Sequence, residues 1–212
     1  MKVKNRKIHV VGINSFEFKE LLPSIKFLIL NEKNIAIPKS YFDQISPWFN
    51  NLGEEKKNLF SSESNIELIK WLKKNKSDVV LISRGDPLWF GIGRILLENF
   101  SKEELFFYPS LTCIQLAFRK LKKPWQEVKC ISIHGRDTDE LIKALKSRVP
   151  ALAIIPDPQC NNLETIKRNL LELQIDNSYE IWLCEELGLK EEKLTEFEIN
   201  KELPKNISNL YV

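Results

Sequence analysis

The segment from Ser83 to Gly91 combines residue types that suit a ligand-binding turn. It reads Ser-Arg-Gly-Asp-Pro-Leu-Trp-Phe-Gly. Gly85 lets the main chain approach a ligand because it has no Cβ, and the Asp86 carboxylate can accept hydrogen bonds from hydroxyl or amino groups. A Gly-Asp-Pro triplet after a strand is also an ordinary turn. These residues alone therefore leave two alternatives open, a ligand-binding loop and a plain connection.

His134, Gly135 and Arg136 form a second polar group, at the predicted end of a strand where side chains can reach a cleft. An arginine can pair with a carboxylate through two hydrogen bonds. A histidine can donate to a carboxylate or relay a proton. The alternative is a structural pair that caps the following turn. We expect no nucleophile or catalytic triad elsewhere in the chain.

The composition argues against several classes of function. The two histidines are far apart and the four cysteines, at positions 113, 130, 160 and 184, form no Cys-x-x-Cys pair, so we expect no metal site. A net charge of +3 is mild for a nucleic-acid-binding protein. The first apolar stretch, Ile8 to Ile13, is too short for a signal peptide or a membrane span. We expect a soluble cytoplasmic protein with reduced thiols.

Strands and helices alternate in the first half of the chain. Asp78 to Ser83 is a nearly continuous apolar run, as in strands buried on both faces of a parallel sheet. Ser64 and Glu67 have the spacing of a capping box at the start of a helix. The pattern predicts a doubly wound sheet, with strands at 8–13, 34–37, 59–60, 78–83 and 105–108 and helices at 18–31, within 42–57, at 64–74 and at 90–99.

The second half is predicted to mix helices with parallel and antiparallel strands. Pro109 to Thr112 has the composition of a hinge, so we expect two α/β domains, 1–109 and 110–212. The apolar, strand-like final residues predict a domain cut from a longer polypeptide. The predicted helices are 112–121, 138–146 and 161–173, and the predicted strands are 130–133, 151–155, 179–184, 194–199 and 208 onward.

Four ordered segments resemble one family. Ser83 to Gly93 resembles the signature of the tetrapyrrole (corrin/porphyrin) methylases, and within that family the N-terminal, C5-methylating domain of the enzymes that methylate precorrin-6Y at carbons 5 and 15. The other three segments follow in the order of that branch, and the resemblance covers about half of the chain, from Asp78 to Leu189. They are Tyr108-Pro-Ser-Leu-Thr-Cys-Ile-Gln-Leu-Ala117, similar to the family's hinge; Pro124-Trp125 with Ile131-Ser-Ile-His-Gly-Arg136; and Glu185-Glu-Leu-Gly188.

This resemblance implies two α/β domains of the tetrapyrrole methylase type, with a mostly parallel sheet in the first, a mixed sheet in the second and a cleft between them. It implies that the protein binds S-adenosylmethionine and methylates a precorrin carbon in cobalamin biosynthesis. The positions carried over for cofactor binding are Arg84, Gly85, Asp86, Trp89, Thr112, Cys113, Pro156 and Asp157, and those on the substrate side, as candidate catalytic residues, are His134 and Arg136.

The first fifty residues depart from the family pattern. The loop Gly12 to Phe16 keeps only the first of the usual glycines, and Ala36-Ile-Pro-Lys39 replaces a Gly-Gly-x-Arg-like stretch. Because the family's first loop borders the substrate, two alternatives stay open: a related methylase with another acceptor, and a non-catalytic scaffold domain of a fused corrin enzyme. The resemblance also implies a homodimer, with a fused or separate decarboxylating methyltransferase domain as a further partner.

Overall fold

The computed structural model describes residues 6–50, 57–133, 137–156, 162–175, 179–198 and 201. By its internal contacts the chain divides into two compact units, Met1–Thr112 and Cys113–Val212. Among the described residues, no helix combines the length and the apolar character that crossing a membrane requires.

The first unit contains a five-stranded sheet in the order β3-β2-β4-β1-β5, in which every pairing is parallel. This confirms the doubly wound sheet predicted from the alternation of strands and helices. The central strands β1 and β4 are apolar along most of their length because both of their faces are covered. The strands are β1 (Ile8–Ile13), β2 (Asn34–Pro38), β3 (Asn58–Ser62), β4 (Val79–Arg84) and β5 (Leu105–Tyr108).

Helices cover both faces of this sheet. On one face, Val80 and Ile82 of β4 pack in a cluster with helices α1 (Pro23–Asn31) and α2 (Phe42–Ile45). On the other face, Val79 and Leu81 pack with α3 (Asn65–Lys74) and α4 (Gly93–Asn99). The fully buried Ile29, Leu72 and Leu96 anchor these helices, and burying each such side chain contributes about 1.5–3 kcal/mol.

The helix boundaries follow from local chemistry. Pro23 is at the first position of α1, which it starts rather than interrupts, and a short 3-10 turn at Phe18–Glu20 precedes it. The Ser64 hydroxyl accepts a hydrogen bond from the Glu67 N–H, 3.3 Å away, as predicted for the cap of α3. The Glu67 carboxylate differs from a standard capping box, because it accepts from the Ser62 hydroxyl, which in turn accepts from the Ser64 N–H.

The sheet order places a topological switch point between β1 and β4. From β1 the chain runs past β4 to β2, whereas from β4 it runs past β1 to β5, so the two connections leave in opposite directions. In open α/β sheets, ligands bind outside the carboxyl ends of the strands at such a point. The carboxyl ends of these two strands carry Gly12–Ile13 and Ser83–Arg84, which are paired in register.

The second unit combines parallel and antiparallel pairings, as the sequence predicted. Strands β6 (Lys129–Ser132) and β7 (Leu152–Ile155) pair in parallel, and β8 (Ile181–Glu185) and β9 (Lys193–Phe197) pair in antiparallel. Within the described residues these form two separate two-stranded sheets. The strand predicted from 208 onward lies outside the described residues. The helices of the second unit are α5 (Cys113–Leu121), α6 (Asp139–Lys146) and α7 (Asn162–Glu172).

Candidate functional site

The turn after β4 is fixed on both sides by main-chain hydrogen bonds. The Gly85 N–H donates to the Ile13 carbonyl at the end of β1, 3.1 Å away. The Gly85 carbonyl accepts from the Ser110 N–H, also at 3.1 Å, in the loop after β5. The ends of three adjacent strands therefore meet at Gly85, and this residue has a left-handed φ of 59°, which glycine adopts without steric cost.

Gly12 and Gly85 are packed so closely that a side chain at Gly12 has no room. A Cβ built on Gly12 would lie 1.8 Å from the Gly85 carbonyl oxygen and 3.0 Å from the Ser110 nitrogen. A Cβ on Gly85 would lie 3.2 Å from the Leu111 carbonyl oxygen. The one glycine that the first loop shares with the family pattern is thus the one that the β1–β4 contact requires.

Asp86 organises the next residues of the turn. Its carboxylate accepts a hydrogen bond from the Leu88 N–H at 2.9 Å, and its carbonyl accepts from the Trp89 N–H at 3.1 Å. Phe90 has a φ of 51°, which a right-handed helix cannot contain. For this reason α4 begins at Gly93 and not near Phe90, where the apolar pattern predicted it. The half-buried Trp89 meets the Phe90 ring edge-on, with centroids 4.7 Å apart.

The Arg84 side chain is turned toward the first loop. Its guanidinium Nη1 donates to the Asn14 carbonyl at 2.9 Å, and its guanidinium carbon Cζ lies 5.4 Å from the centre of the Phe16 ring. The cofactor role predicted for Arg84 stays a prediction, but this geometry gives the side chain a second task, which is to hold the loop after β1.

Aromatic side chains also contact the same loop, and sequence reasoning missed this group. The Trp48 indole Nε1 donates to the Phe16 carbonyl at 2.8 Å, and the Phe16 ring lies 5.4 Å from that of Tyr41. Phe18 packs against Trp48 at 5.3 Å. The only signal in the sequence was the density of aromatic residues between positions 16 and 49. The glycines that the loop lacks are therefore replaced by a packed, hydrogen-bonded structure.

The other predicted positions are distributed as follows. Thr112 is buried, with 9% of its surface exposed, and its Cα would lie 3.4 Å from a Cβ on Gly85. Cys113 begins α5, and Pro156 is buried directly after β7. The first unit thus brings Arg84, Gly85, Asp86, Trp89 and Thr112 to one edge of the sheet, whereas His134, Arg136 and Asp157 lie outside the described residues.

Thiol chemistry is disfavoured at two cysteines of the second unit. Burial, with the nearby Glu192 and Cys113, raises the pKa of Cys184 to about 11. Burial also raises the pKa of Cys130. The reactive form of cysteine is the thiolate, so both thiols stay protonated at neutral pH.

The segment Glu185 to Gly188 contains a buried ionic group. Glu185 is 5% exposed and lies 3.8 Å from the Lys193 ammonium. Burial raises the pKa of Glu192, but the Lys120 ammonium and a hydrogen bond from the Gly188 N–H outweigh it, and the net effect is a lowered pKa. Glu185 thus pairs with Lys193, and Glu192 pairs with Lys120 and the Gly188 N–H, which gives the segment from Glu185 to Gly188 a structural role in addition to any role toward a ligand.

The second unit also contains a partly open, mainly apolar cavity of about 510 Å³. Its described lining is mainly aliphatic and aromatic, and its charged groups, Lys123 and Glu180, are already paired at 2.7 Å. Apolar cavities of this size hold small molecules when a few convergent polar groups orient them. Here the Tyr179 hydroxyl already donates to the Val149 carbonyl at 2.8 Å, and the Trp182 indole N–H already donates to the Glu180 carboxylate at 2.6 Å. Other lining residues include Phe118, Leu152, Ile154, Ile181, Trp182 and Cys184.

Comparisons with known proteins agree with the sequence resemblance. The model of the family Tetrapyrrole (Corrin/Porphyrin) Methylases matches residues 28–201. The chain is 28% identical over 152 residues to a probable cobalt-precorrin-7 C(5)-methyltransferase of Methanocaldococcus jannaschii, covering 68% of this chain and 69% of that protein. It is 26% identical over 131 residues to a precorrin-6Y C(5,15)-methyltransferase [decarboxylating] of Sinorhizobium sp, covering 60% of this chain but only 30% of that longer protein.

Solved structures share the fold. A precorrin-6Y methylase from Archaeoglobus fulgidus superposes with a TM-score of 0.66 at 22% identity, covering 97% of this chain and 95% of that one. A uroporphyrin-III C-methyl transferase from Thermus thermophilus, complexed with S-adenyl homocysteine, gives a TM-score of 0.65 at 18% identity, covering 91% and 88%. At these identities the likeness establishes the α/β architecture.

Proposed function

The chain belongs to the tetrapyrrole (corrin/porphyrin) methylases, which are S-adenosylmethionine-dependent methyltransferases, and from that membership we propose that it methylates carbon 5 of a precorrin in cobalamin biosynthesis. Both curated relatives act on carbon 5 according to their names, one on cobalt-precorrin-7 and one on precorrin-6Y. The acceptor we propose is therefore a late precorrin of this type, with or without cobalt.

The observation that carries this proposal is the meeting of Gly85, Asp86 and Thr112 at the β1–β4 switch point. S-adenosylmethionine carries an ammonium group and ribose hydroxyls that need acceptors, and an adenine ring that needs apolar walls. The Asp86 carboxylate and the Thr112 hydroxyl are suitable acceptors, and the aromatic ring of Trp89 is a suitable wall. The residue types at this edge thus fit the cofactor.

Little protein chemistry is needed for the transfer itself. When bound, the cofactor supplies a methyl group that its sulfonium centre already activates. The chain's own residues have to orient donor and acceptor and to exclude water. We assign the donor side to Gly85, Asp86, Trp89 and Thr112, with Cys113, Pro156 and Asp157 as further candidates. On the acceptor side, Arg136 can pair with a precorrin carboxylate, and His134 can donate to one or move a proton.

Calorimetry with S-adenosylhomocysteine tests the donor side. We expect binding at about micromolar Kd. Asp86→Asn keeps the oxygen that accepts from the Leu88 N–H and removes only the charge, whereas Asp86→Ala removes both. If the carboxylate accepts from the cofactor, Asp86→Asn weakens binding roughly tenfold or more, since a hydrogen bond to a charged group is worth about 1.5–3 kcal/mol. Asp43→Asn, an exposed acid in α2, is the matched control and should bind as the native chain does.

Mass spectrometry of acceptor incubations tests the substrate. Precorrin-6Y, precorrin-7 and the cobalt form of each are incubated with the cofactor, and a gain of one methyl group on at least one of them is expected. Arg136→Gln should raise the KM for the precorrin without changing cofactor affinity. Cofactor binding with no methyl transfer to any of the four would favour the scaffold alternative. Transfer only to an unrelated acceptor would replace the precorrin assignment.

Assembly is a separate part of the proposal. We expect a homodimer, which light scattering after size-exclusion chromatography measures directly. The match to 30% of a decarboxylating relative also supports a division of labour, in which a fused or separate domain carries out the decarboxylating methylation. Methylation by this chain alone should then leave the acceptor's carboxylates intact.

A further inference from the structure

Three potential ligand side chains converge at the amino-terminal edge of the first sheet. His9 is the second residue of β1, Asp78 directly precedes β4, and Glu32 precedes β2. These strands are consecutive in the sheet, in the order β2-β4-β1. One nitrogen of the histidine and one oxygen of each carboxylate lie within 4.8 Å of one another. The sequence did not predict this group, because any two of its three members are more than twenty residues apart in the chain.

The His9 ring is held in place. It is buried, with 6% of its surface exposed, and its Nδ1 lies 2.9 Å from the Tyr108 hydroxyl. The Phe106 and Tyr108 rings lie 5.5 and 5.7 Å from it. Because the Tyr108 hydroxyl engages Nδ1, Nε2 is the ring nitrogen left to face an ion. Histidines that ligate a metal through one nitrogen are typically oriented by a hydrogen bond at the other.

The carboxylates are positioned as well. Asp78 Oδ1 accepts from the Lys7 N–H at 2.7 Å, and the Asp78 carbonyl accepts from the Asn34 amide at 3.3 Å. Asp78 and Glu32 are half-buried. Two carboxylates this close repel each other when water is partly excluded. The nearby Lys7 ammonium is placed over the Phe106 ring, at 5.2 Å, and Lys57 donates to main-chain carbonyls at this edge, that of Glu32 among them at 2.8 Å.

We propose that His9, Glu32 and Asp78 bind one divalent transition-metal ion, with zinc as the best-suited ion. One imidazole nitrogen and two carboxylate oxygens are ligand types that zinc accepts, with water in the fourth position. Ligand atoms around zinc are separated by about 3.3 Å, given bonds of about 2.0–2.1 Å. The candidate ligand atoms lie within 4.8 Å of one another, so small changes of side-chain rotamer bring them to this spacing.

The site's task is structural. It joins the beginnings of three adjacent strands, at the edge opposite Gly12 and Gly85, and it does not depend on the proposed methyl transfer. A ligand that binds only the folded chain stabilises it. We therefore expect metal binding to raise the melting temperature and to leave S-adenosylhomocysteine affinity unchanged.

Metal titrations of the chelator-stripped protein test this proposal. Calorimetry with zinc sulfate should give one ion per chain, and cobalt(II) chloride should give the visible absorption of a four-coordinate site. Magnesium should bind more weakly, because it prefers six oxygen ligands. Circular dichroism checks that the protein in these titrations is folded. If the folded protein shows no saturable binding of zinc or cobalt, the proposal is wrong.

Three variants locate the ion. Asp78→Asn keeps the oxygen that accepts from the Lys7 N–H and should lower zinc affinity at least tenfold, as should Glu32→Gln and His9→Gln. The controls are Glu104→Gln, which removes a carboxylate paired with Arg6 at the same edge, and His134→Gln, which removes the other histidine of the chain. Zinc binding that survives Asp78→Asn and Glu32→Gln, or that is lost in His134→Gln, would show that the ion binds elsewhere.

Discussion

Gly12 and Gly85 lack side chains for different physical reasons. At Gly85 the main chain has a left-handed φ of 59° and also approaches the loop after β5. At Gly12 the space that a Cβ would need is already filled by the Gly85 carbonyl oxygen, 1.8 Å away. Backbone cannot move aside as the end of a flexible side chain can, so both residues are needed to keep the ends of β1 and β4 together.

Replacing Gly12 by alanine should separate these two strand ends. We expect Gly12→Ala to lower the free energy of unfolding by about 2–4 kcal/mol and to abolish S-adenosylhomocysteine binding at concentrations that saturate the native chain. Urea denaturation and calorimetry measure the two effects. Asn14→Ala is the control, because Asn14 offers its main-chain carbonyl to Arg84 and alanine keeps that group. Normal cofactor affinity in Gly12→Ala would show that the Asp86 turn is not part of the cofactor site.

One variant of Arg84 can distinguish two roles of this residue, which are positioning the first loop and contacting the cofactor. Its guanidinium binds the Asn14 carbonyl and the Phe16 ring, which indicates that it positions the first loop. We expect Arg84→Met to reduce turnover of the precorrin at least tenfold while changing S-adenosylhomocysteine affinity by less than a factor of about three. Steady-state kinetics and calorimetry give the two numbers. An equal loss in both would support the cofactor contact inferred from the family motif.

At the scale of elements, the loop between β1 and α1 owes its shape to residues from distant parts of the unit. Trp48, which follows α2, donates to the Phe16 carbonyl, and Arg84 binds the loop from the end of β4. A loop that depends on neighbours for its shape is rigid only as long as those neighbours stay packed. The conformation of this loop therefore depends on the packing of α2 as well as on the end of β4.

Trp48→Phe tests this dependence. The phenyl ring keeps most of the packing against Phe18 but cannot donate to the Phe16 carbonyl, which should cost about 1–2 kcal/mol of stability. Hydrogen exchange should increase in the loop from Asn14 to Glu17 and remain unchanged in β1. Trp71→Phe is the matched control: Trp71 stacks on Phe60 at the opposite face of the sheet, with centroids 4.7 Å apart. Equal exchange in the loop of both variants would contradict the role of Trp48.

The elements were largely predictable from the sequence, and the site only partly. Hydrophobic runs and a cap predicted the strands of the first sheet and α3, because these signals are local. The predicted start of α4 was wrong, because an apolar sequence pattern does not reveal the left-handed φ of Phe90. The motif around Asp86 was found through resemblance. The aromatic support of the first loop and the group around His9 were missed, because both join residues that only the tertiary fold brings together.

For the whole molecule, acid should weaken folding in two separate ranges of pH. Burial lowers the pKa of His9 below 6.5, partly opposed by the Asp78 carboxylate. The unfolded chain then binds a proton that the folded chain does not, so stability falls as pH decreases from 6.5 toward the folded-state value. Glu192 has a pKa below 4.5, so the stabilisation from its pairing is lost only at more acidic pH.

Urea denaturation as a function of pH, in the presence of a chelator, checks this. Below pH 6.5 the free energy of unfolding should decrease by up to about 1.4 kcal/mol per pH unit for one proton. His9→Gln should abolish the decrease in this range and keep the loss below pH 4.5. His134→Gln should leave both ranges in place. A profile for His9→Gln that matches the native one would assign the titration to another group.

The insertion of β4 between β2 and β1 also determines when the first unit can form during synthesis. Strands β1 and β2 do not pair with each other. β2 can pair with β3, but both partners of β1, which are β4 and β5, come later, β4 about 70 positions after β1. Such non-local parallel pairing is slow compared with the formation of local structure. A nascent chain that ends before Val79 therefore exposes the apolar β1 with no partner strand and one unpaired edge of β2. During this interval the incomplete unit can aggregate or be bound by chaperones.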